Sequence, residues 1–260
     1  MMASHNKHFA CWNRTSSPSS AFFMTAFTLF QSVSTVSIPD VTFHFHEENL
    51  SLGVVLVTGV TIEDSGPNFA DFEERIFEEI QSKHSLSSLK NEPILRSYRD
   101  LYWSFGMDPT KLRVSSEALI RRILRGENLW NINNLVDSMN LVSAYHRIPI
   151  GLADLEKVAG NLSIRQARKG ELFTRIGGKT IQCRGREIVI ADEEKITCFG
   201  FATHDSDYTK ITKKTETALV YLCFSGEVST QVINESTQTT VDFLENWVPC
   251  EISNIMTLKS

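Results

Sequence analysis

The sequence predicts a protein of the α/β class, and three observations support this prediction. Runs of β-branched and apolar residues alternate along the chain with segments of helical periodicity, which favours α/β or α+β over all-β. The 260 residues are enough to bury a sizeable core. Hydrophobic residues make up 42% of the chain and charged residues 22%, which is an ordinary balance for a globular protein.

The first part of the chain is predicted to contain two regions. Residues 1–37 are rich in Ser, Thr and Phe, and we expect them to form a poorly ordered N-terminal extension. The one apolar run in this region is too short to span a bilayer. Residues 38–92 are predicted as a βα element that packs on the main domain, with a strand at residues 54–60. Its helix is indicated by apolar residues at helical spacing, namely Phe69, Phe72, Ile76, Phe77 and Ile80. The polar residues 82–93 are interpreted as a linker to the main domain, residues 93–260.

A helix with well-marked ends is predicted at residues 115–126. Ser115 is placed as its N-cap, Glu117 lies near the positive end of the helix dipole, and Gly126 supplies a left-handed stop. One face is apolar and the other carries three arginines, Arg121, Arg122 and Arg125. An ordinary solvated face and an RNA-binding face are both consistent with this pattern taken alone.

Alternating elements continue to the end of the chain. A helix is predicted at residues 135–145, capped by Asn133 or Asn134 with Asp137 in its first turn. Strands are predicted at residues 172–176, 187–191 and 218–224, followed by a helix at residues 240–247. Because Gly177 and Gly178 fit neither a P-loop nor a dinucleotide fingerprint, they are interpreted as a hairpin turn.

The distribution of charge matters more than the net charge of −5, which by itself argues against a generic nucleic-acid binder. Residues 47–92 contain ten acidic and three basic residues, whereas residues 96–125 contain seven basic and three acidic residues. Basic residues also predominate in residues 164–186, where Arg165, Arg168 and Lys169 are RNA-binding candidates. If the two basic segments meet on one surface, they form a patch able to steer an RNA.

Five scattered cysteines without a C-x-x-C pair indicate free thiols in a reducing compartment, and we expect a cytoplasmic protein. Alternation places His44 and His46 on one face of a strand, but there is no second cluster of ligands. We therefore expect no metal and no cofactor.

An ordered series of short motifs covers close to half of the chain, from Tyr98 to Thr217. In chain order the motifs are Tyr98-Arg99-Asp100, the Ser115–Leu119 helix start, Asn133-Asn134-Leu135-Val136-Asp137 with Asn140, Ile148-Pro149-Ile150-Gly151 with Asp154-Leu155, Ile164-Arg165-Gln166-Ala167 with Gly170-Glu171, Glu187–Asp192, and His204–Thr212 before Thr215. This series resembles the B3/B4 domain of the phenylalanyl-tRNA synthetase beta subunit, and more closely the free-standing proteins built from that domain.

The resemblance implies a three-layer α/β domain with an unusual β-sandwich and flanking helices. It also implies a pocket that in the synthetase hydrolyses tRNA mischarged with tyrosine, and tRNA as the neighbouring macromolecule. The synthetase pattern has a histidine two residues after Pro149, where this chain has Gly151. It has a threonine two residues after Asp137, where this chain has Met139, and a glutamate that would align near Asp205.

Two sets of residues are candidates for the lining of that pocket. Asp205, Asp207, Thr209 and Thr212 could hold an amine or hydroxyl by hydrogen bonds, or could satisfy local amides in a strand-ending turn. The catalytic residues stay unknown, because adjacent residues such as His204 and Asp205 cannot converge as a triad does. Asn133, Asp137 and Asn140 could bind a ligand, or could cap the helix and tie it to a loop, and structural use is the preferred interpretation.

Three functions are consistent with the sequence, and the first is preferred. The protein is predicted to be an RNA-associated module that binds tRNA or aminoacyl-tRNA, without chemistry of its own and without DNA or membrane partners. The alternatives are a trans-acting hydrolase that deacylates mischarged aminoacyl-tRNA, and a protein that binds a free amino acid or similar metabolite. A complete phenylalanine-tRNA ligase is not expected, because the aminoacylation motifs are missing.

Overall fold

Two four-stranded β-sheets, one two-stranded sheet and a layer of helices make up the computed structural model of the protein, which describes residues 38–45, 50–202 and 204–260. The strands are β1 (Val41–Phe43), β2 (Ser51–Thr58), β3 (Ile150–Asp154), β4 (Leu162–Gln166), β5 (Leu172–Thr174), β6 (Thr180–Gln182), β7 (Ile188–Ala191), β8 (Ile196–Cys198), β9 (Ala218–Phe224) and β10 (Glu251–Lys259). The helices are α1 (Pro67–Lys83), α2 (Pro93–Ser104), α3 (Ser115–Ile123), α4 (Asn134–His146) and α5 (Thr230–Trp247). The described residues fall within one compact unit, Val36–Ser260.

The central sheet has the strand order β10-β2-β9-β3, and all of its neighbouring strands are antiparallel. Strands β2 and β9 occupy its middle, and every residue of β9 is buried. This is the burial expected of continuous apolar runs whose two faces are both covered. Because β2 belongs to this sheet, the N-terminal βα element shares its sheet with strands from the C-terminal half of the chain.

The two faces of the central sheet are covered by different layers. On one face, α5 contacts β2 and β10, α4 contacts β3, and the rings of Phe69 in α1 and Trp247 in α5 lie 5.3 Å apart. On the other face lies the second sheet, with the order β1-β4-β7-β8, and β3 packs against β8. The resulting order of helices, sheet and sheet confirms the predicted α/β class.

Most elements in the middle of the chain are confirmed close to their predicted positions. The side chain of Asn133 caps α4 by accepting a hydrogen bond from the amide of Val136, at 2.9 Å. The paired strands β5 and β6 are joined by a turn in which Gly177 and Gly178 have φ angles of 90° and 81°. These angles lie in the left-handed region that glycine tolerates, so the hairpin interpretation is confirmed.

The N-cap of α3 was predicted wrongly. Val114 takes that position, while Ser115 is the first helical residue and its hydroxyl oxygen is buried without a hydrogen-bond partner among the described residues. Val114 is itself only 1% exposed, so packing of its side chain fixes where the chain enters the helix. Gly126 does adopt the predicted left-handed conformation, with φ of 74°, two residues beyond Leu124 at the C-cap.

The helix predicted at residues 240–247 is longer than the sequence suggested. It begins at Thr230, because Ser229 caps it by accepting from the amide of Val232. Hydroxyl groups in its polar first half are satisfied within the helix, since Ser236 and Thr237 each donate to the carbonyl four residues earlier. Helix α2 and strands β3, β4, β8 and β10 were not predicted, and α1 extends two residues into the predicted linker.

Several other predictions fall partly outside the described residues. The N-terminal extension lies outside them, as do His46 and Cys11, while the four described cysteines are free thiols. Among the described residues, no group of three His, Cys, Asp or Glu side chains is arranged to hold a metal ion. No helix in this part of the chain has the length and apolar character needed to cross a membrane.

Candidate nucleic-acid interface

The carboxyl group of Asp205 is enclosed by protein atoms. Its Oδ2 atom accepts a hydrogen bond from the amide of Leu152, at 3.2 Å, and its Oδ1 atom is buried without a hydrogen-bond partner in the described part of the chain. Burial raises the pKa of Asp205 to about 7, although the hydrogen bond from Leu152 acts in the opposite direction. The side chain is therefore held against β3 and does not project into solvent.

Gly151 marks the position where the resemblance expects a histidine, and the space around it is filled. A Cβ atom at Gly151 would lie 3.0 Å from Oδ1 of Asp205 and 3.1 Å from Sγ of Cys198. The ring of Tyr221 lies on the same side, with Cδ2 at 3.7 Å. These distances leave no room for an imidazole, so the protein's own side chains occupy the place of that group.

The three other predicted pocket residues of this loop are engaged by nearby protein groups. Thr209 is fully buried, and its hydroxyl donates to the carbonyl of Thr197 at 3.3 Å. Asp207 forms an ion pair of 2.8 Å with Lys210. Thr212 accepts a hydrogen bond of 3.3 Å from the amide of Lys214. The interactions of Asp207 and Thr212 are local to the turn, whereas Thr209 ties the loop to Thr197 in β8, twelve residues earlier.

The second set of predicted pocket residues lies on α4. Asn133 caps the helix, and Asp137 accepts hydrogen bonds from the hydroxyl of Ser65 at 2.6 Å and from the amide of Ile132 at 2.9 Å. Asn140 is half-buried two turns further along. Burial and the charge of Asp137 raise the pKa of nearby Glu73 to about 7. Asn133 and Asp137 therefore hold the start of α4 against the chain before it and against the loop that precedes α1.

The predicted RNA-binding arginines in α3 and just after it differ in their contacts with other protein groups. Arg121 donates from Nε to Glu117 at 2.7 Å. Arg122 donates to the carbonyl of Asn128 at 2.6 Å and stacks over the ring of Trp130, 4.6 Å from its centroid. Arg125 is exposed. The three side chains thus do not act as one set.

The predicted residues of the second basic segment are also divided. Arg165 is held by Glu171 through two hydrogen bonds of 2.9 and 2.7 Å. The hydrogen bonds from Arg165 outweigh burial and lower the pKa of Glu171, so this pair is charged at neutral pH. Arg168 and Lys169 are exposed.

A cleft of about 340 Å³ lies between α2 and the start of α3, and we call it the arginine cleft. It is lined by Arg96, Arg99, Asp100, Trp103, Pro109, Thr110, Arg113, Glu117 and Arg121. Neither this cleft nor a second one of about 370 Å³ beside α1 is lined by any of residues 205–212.

Glu117 is the buried carboxylate with which three arginines of the arginine cleft form ion pairs. Its side chain is only 2% exposed, and its carboxylate pairs with Arg99 at 2.6 Å, Arg121 at 2.7 Å and Arg113 at 3.7 Å. Burial alone would raise the pKa of Glu117, but hydrogen bonds from Arg99 and Arg121 outweigh it and hold the pKa below its usual value. One buried negative charge therefore faces three arginines, and the cleft keeps an excess of positive charge.

The two basic segments of the chain lie against each other. The guanidinium Nη1 of Arg186 donates to the carbonyl of Gly106, just after α2, at 2.7 Å. Within the second segment, Gly185 lies beside Lys169, because a Cβ atom there would be 3.3 Å from the backbone nitrogen of Lys169. Leu112 packs on the hydrophobic cluster around Phe173. We call Arg186 and the basic residues that flank these contacting positions in the sequence the basic junction, and the flanking residues are Lys111, Arg113, Arg168, Lys169 and Arg184.

Replacing Glu117 with alanine is expected to lower the free energy of unfolding at pH 7 by about 2 to 3 kcal/mol, because Arg99 and Arg121 lose their buried partner. This is less than for a fully buried pair, since the two arginine side chains are 22% and 21% exposed. Urea denaturation measures the change. Because the pKa of Glu117 is lowered in the folded state, its contribution is present at neutral pH and is lost as the pH falls through that pKa.

The matched control for this variant is Glu127→Ala. Glu127 pairs with Arg122 at 2.9 Å, but its side chain is 43% exposed. Its removal is expected to change stability by less than about 1 kcal/mol. Equal losses in the two variants would contradict the central role of Glu117.

Sequence reasoning missed the residues of the arginine cleft other than Arg121. Arg96, Arg99 and Trp103 lie on one face of α2 at the spacing i, i+3, i+7, and this pattern was the available signal. No helix is predicted from the sequence at residues 93–104, so this spacing did not indicate a shared face. Arg113 precedes α3 by two residues, and its contact with the cleft depends on the burial of Glu117.

Comparisons with known proteins agree with the motif series. The model of the B3/4 domain family matches residues 97–240. The chain is 40% identical over 85 residues to the phenylalanine–tRNA ligase beta subunit of Fusobacterium nucleatum, covering 33% of this chain and 10% of that one. It is 34% identical over 83 residues to the same subunit of Chromobacterium violaceum, covering 32% and 11%.

A solved structure shows a weaker likeness. An N-terminal fragment of the phenylalanyl-tRNA synthetase beta subunit from Pyrococcus horikoshii matches with a TM-score of 0.41 and 10% identity, covering 86% of this chain and 56% of that one. The chain spans about a tenth of the length of the curated relatives it matches.

Proposed function

The chain belongs to the B3/4 domain family, and from this premise we propose that it is a tRNA-binding module without chemistry of its own. The curated relatives are phenylalanine–tRNA ligase beta subunits, which makes tRNA the RNA class to test first. The proposal covers binding only. The aminoacylation reaction of the ligases is not part of it.

The observation that carries the proposal is the contact between the two basic segments at the basic junction. Arg186 of the second segment donates to the carbonyl of Gly106 in the first, and Arg168 and Lys169 are both exposed. RNA affinity depends mainly on such groups, because each phosphate contact releases condensed counterions. The net charge of −5 does not oppose this, since many of the acidic residues are on or near α1.

The hydrolase alternative finds less support in the geometry. The position equivalent to the synthetase histidine is Gly151, and Asp205, Cys198 and Tyr221 fill the space in front of it. A general base must come within about 3 Å of the water or hydroxyl it activates. Asp205 has a suitably raised pKa, but its enclosure leaves no space for an ester substrate beside it.

Filter binding to tRNA at several salt concentrations tests the proposal. With three or more phosphate contacts, the logarithm of the binding constant is expected to fall against the logarithm of salt concentration with a slope of about −2 to −3 or steeper. An Arg168→Ala/Lys169→Ala variant is expected to reduce the magnitude of this slope by about 2.

The control variant is Lys259→Ala, since Lys259 is an exposed lysine on β10. It is expected to leave the slope unchanged. A DNA duplex of similar charge is the control ligand and is expected to bind more weakly. Absence of tRNA binding at low salt would overturn the proposal, as would equal slopes for the junction variant and the wild type.

A further inference from the structure

We propose that the arginine cleft is a nucleotide subsite, in which Trp103 stacks on a base and the arginines hold the attached phosphate. The inference rests on the proposed function, because an unpaired nucleotide of an RNA is the expected source of this ligand. It goes beyond that function by naming a site that is separate from the pocket around Asp205 and by naming the chemical unit that the site accepts.

The size and shape of the cleft suit one small ligand. Its volume of about 340 Å³ lies at the lower end of the range for small-molecule sites, roughly 300 to 1,000 Å³. Helix α2 forms one wall with Arg99 and Trp103, and Pro109 and Thr110 belong to the segment opposite it. Trp103 lines the cleft and is also exposed to solvent.

The arginines of the cleft keep hydrogen-bond donors that no group in the described part of the chain accepts. Each guanidinium carries five N–H groups in a fixed fork that matches the oxygens of a phosphate. Arg99 uses Nε and Nη2 on Glu117, and Arg121 uses Nε. Arg113 is the most exposed of the three, at 42%, and lies furthest from the carboxylate, at 3.7 Å. It is therefore the side chain that can turn towards an incoming anion.

Glu117 also fixes the positions of Arg99 and Arg121 before any ligand arrives. Both side chains are largely buried, and short hydrogen bonds to the carboxylate hold them. Binding then requires little further ordering of long side chains, which otherwise weakens association. The carboxylate of Glu117 is paired with these arginines and its side chain is only 2% exposed, so little of its surface is open to a ligand in the cleft.

Trp103 distinguishes a nucleotide from a simple anion. Its side chain is 57% exposed although it lines the cleft. It lies one helical turn beyond Arg99, on the same face of α2. An exposed indole beside guanidinium groups provides a stacking surface for any base, since every base has a π-face. A carboxylate metabolite would use the arginines and leave Trp103 without a role.

Calorimetric titration of the full chain with adenosine monophosphate, inorganic phosphate and adenosine tests the inference. Adenosine monophosphate is expected to bind with a Kd below about 1 mM, and more tightly than either fragment. Trp103→Ala is expected to weaken the nucleotide about 10-fold without changing the affinity for phosphate. Arg113→Ala is expected to weaken both the nucleotide and phosphate, because the phosphate loses a donor.

Trp130→Ala is the matched control, because Trp130 is similarly exposed at 53% but lies outside the cleft. It is expected to leave nucleotide affinity unchanged. A single-stranded RNA tetramer separates the two sources of the ligand. Tighter binding of the tetramer than of the monophosphate supports RNA as the source, and equal binding supports a free nucleotide.

Three results would overturn the inference, and they are distinct from failure of the proposed function. They are absence of nucleotide binding, equal effects of the Trp103 and Trp130 variants, and binding of a phosphoserine peptide in preference to the nucleotide. If tRNA binds but the nucleotide does not, the subsite is wrong and the function stands. If the nucleotide binds but tRNA does not, the function is wrong and the subsite stands.

Discussion

Replacing Gly151 with histidine, the residue expected there in the synthetase pattern, is predicted to lower the free energy of unfolding by about 3 kcal/mol or more. The Cβ atom alone would lie 3.0 Å from Oδ1 of Asp205 and 3.1 Å from Sγ of Cys198. The imidazole would have to displace one of these groups or move β3 away from β8. Urea denaturation of the variant and the wild type measures the loss.

The smaller substitution Gly151→Ala also tests whether this position is crowded, because the direction of the change in the free energy of unfolding depends on the space available. In an open position within a strand, alanine is expected to stabilise the protein by roughly 0.5 to 1 kcal/mol relative to glycine. In the crowded position described, it is expected to destabilise the protein by about 1 to 2 kcal/mol.

A Cys198→Ala background should reduce that loss, because one of the two close contacts is removed. A histidine variant as stable as the wild type would show that the position is open, and the account of a filled pocket would then be wrong.

The stability gained by Asp205→Asn is predicted to grow with pH. Burial raises the pKa of Asp205 to about 7 in the folded protein, while in the unfolded chain the pKa is close to 3.9. Between these values the unfolded chain is ionised and the folded protein keeps the proton. The contribution of Asp205 to stability therefore falls as the pH rises through this window, and is constant above about pH 7.

Denaturation of the wild type and the Asp205→Asn variant at pH 5 and pH 7 measures this effect. The difference between the two proteins is expected to change by about 2 to 3 kcal/mol in favour of the variant. Burial lowers the pKa of His146 to about 3, which makes the wild type more stable as the pH rises from 5. Because both proteins retain His146, its pH-dependent contribution cancels in the difference between their free energies of unfolding. A difference that does not change with pH would contradict the enclosed carboxyl group.

Periodicity and local signals predicted part of the fold well. Strands β2 and β9 are largely apolar runs. The N-cap of α4 is Asn133, and its side chain accepts a hydrogen bond from the amide of Val136, three residues later. Elements with polar sequences were missed or shortened. The first half of α5 is rich in Thr, Gln, Asn and Ser, which have low intrinsic preference for helices. It is helical because Ser229 caps it and because Ile233 is buried in the core.

The candidate sites were harder to predict because they depend on contacts between distant segments. The filled pocket arises where Gly151 of β3, Cys198 of β8 and Tyr221 of β9 meet Asp205. No local pattern indicates that meeting. Glu117 was interpreted as a charge at the start of a helix, but burial and Arg99, eighteen residues earlier, give it a different role. The basic segments themselves could be identified from the sequence, because counting charged residues along the chain requires no knowledge of the fold.

Release of the amino acid from a mischarged tRNA, measured in the same samples as tRNA binding, tests the central claim most directly. We expect the protein to bind this tRNA with an affinity that falls steeply with salt, and the ester to persist for as long as it does in buffer alone. Hydrolysis faster than in buffer, rising with the fraction of tRNA bound, would contradict a binding module with a filled pocket.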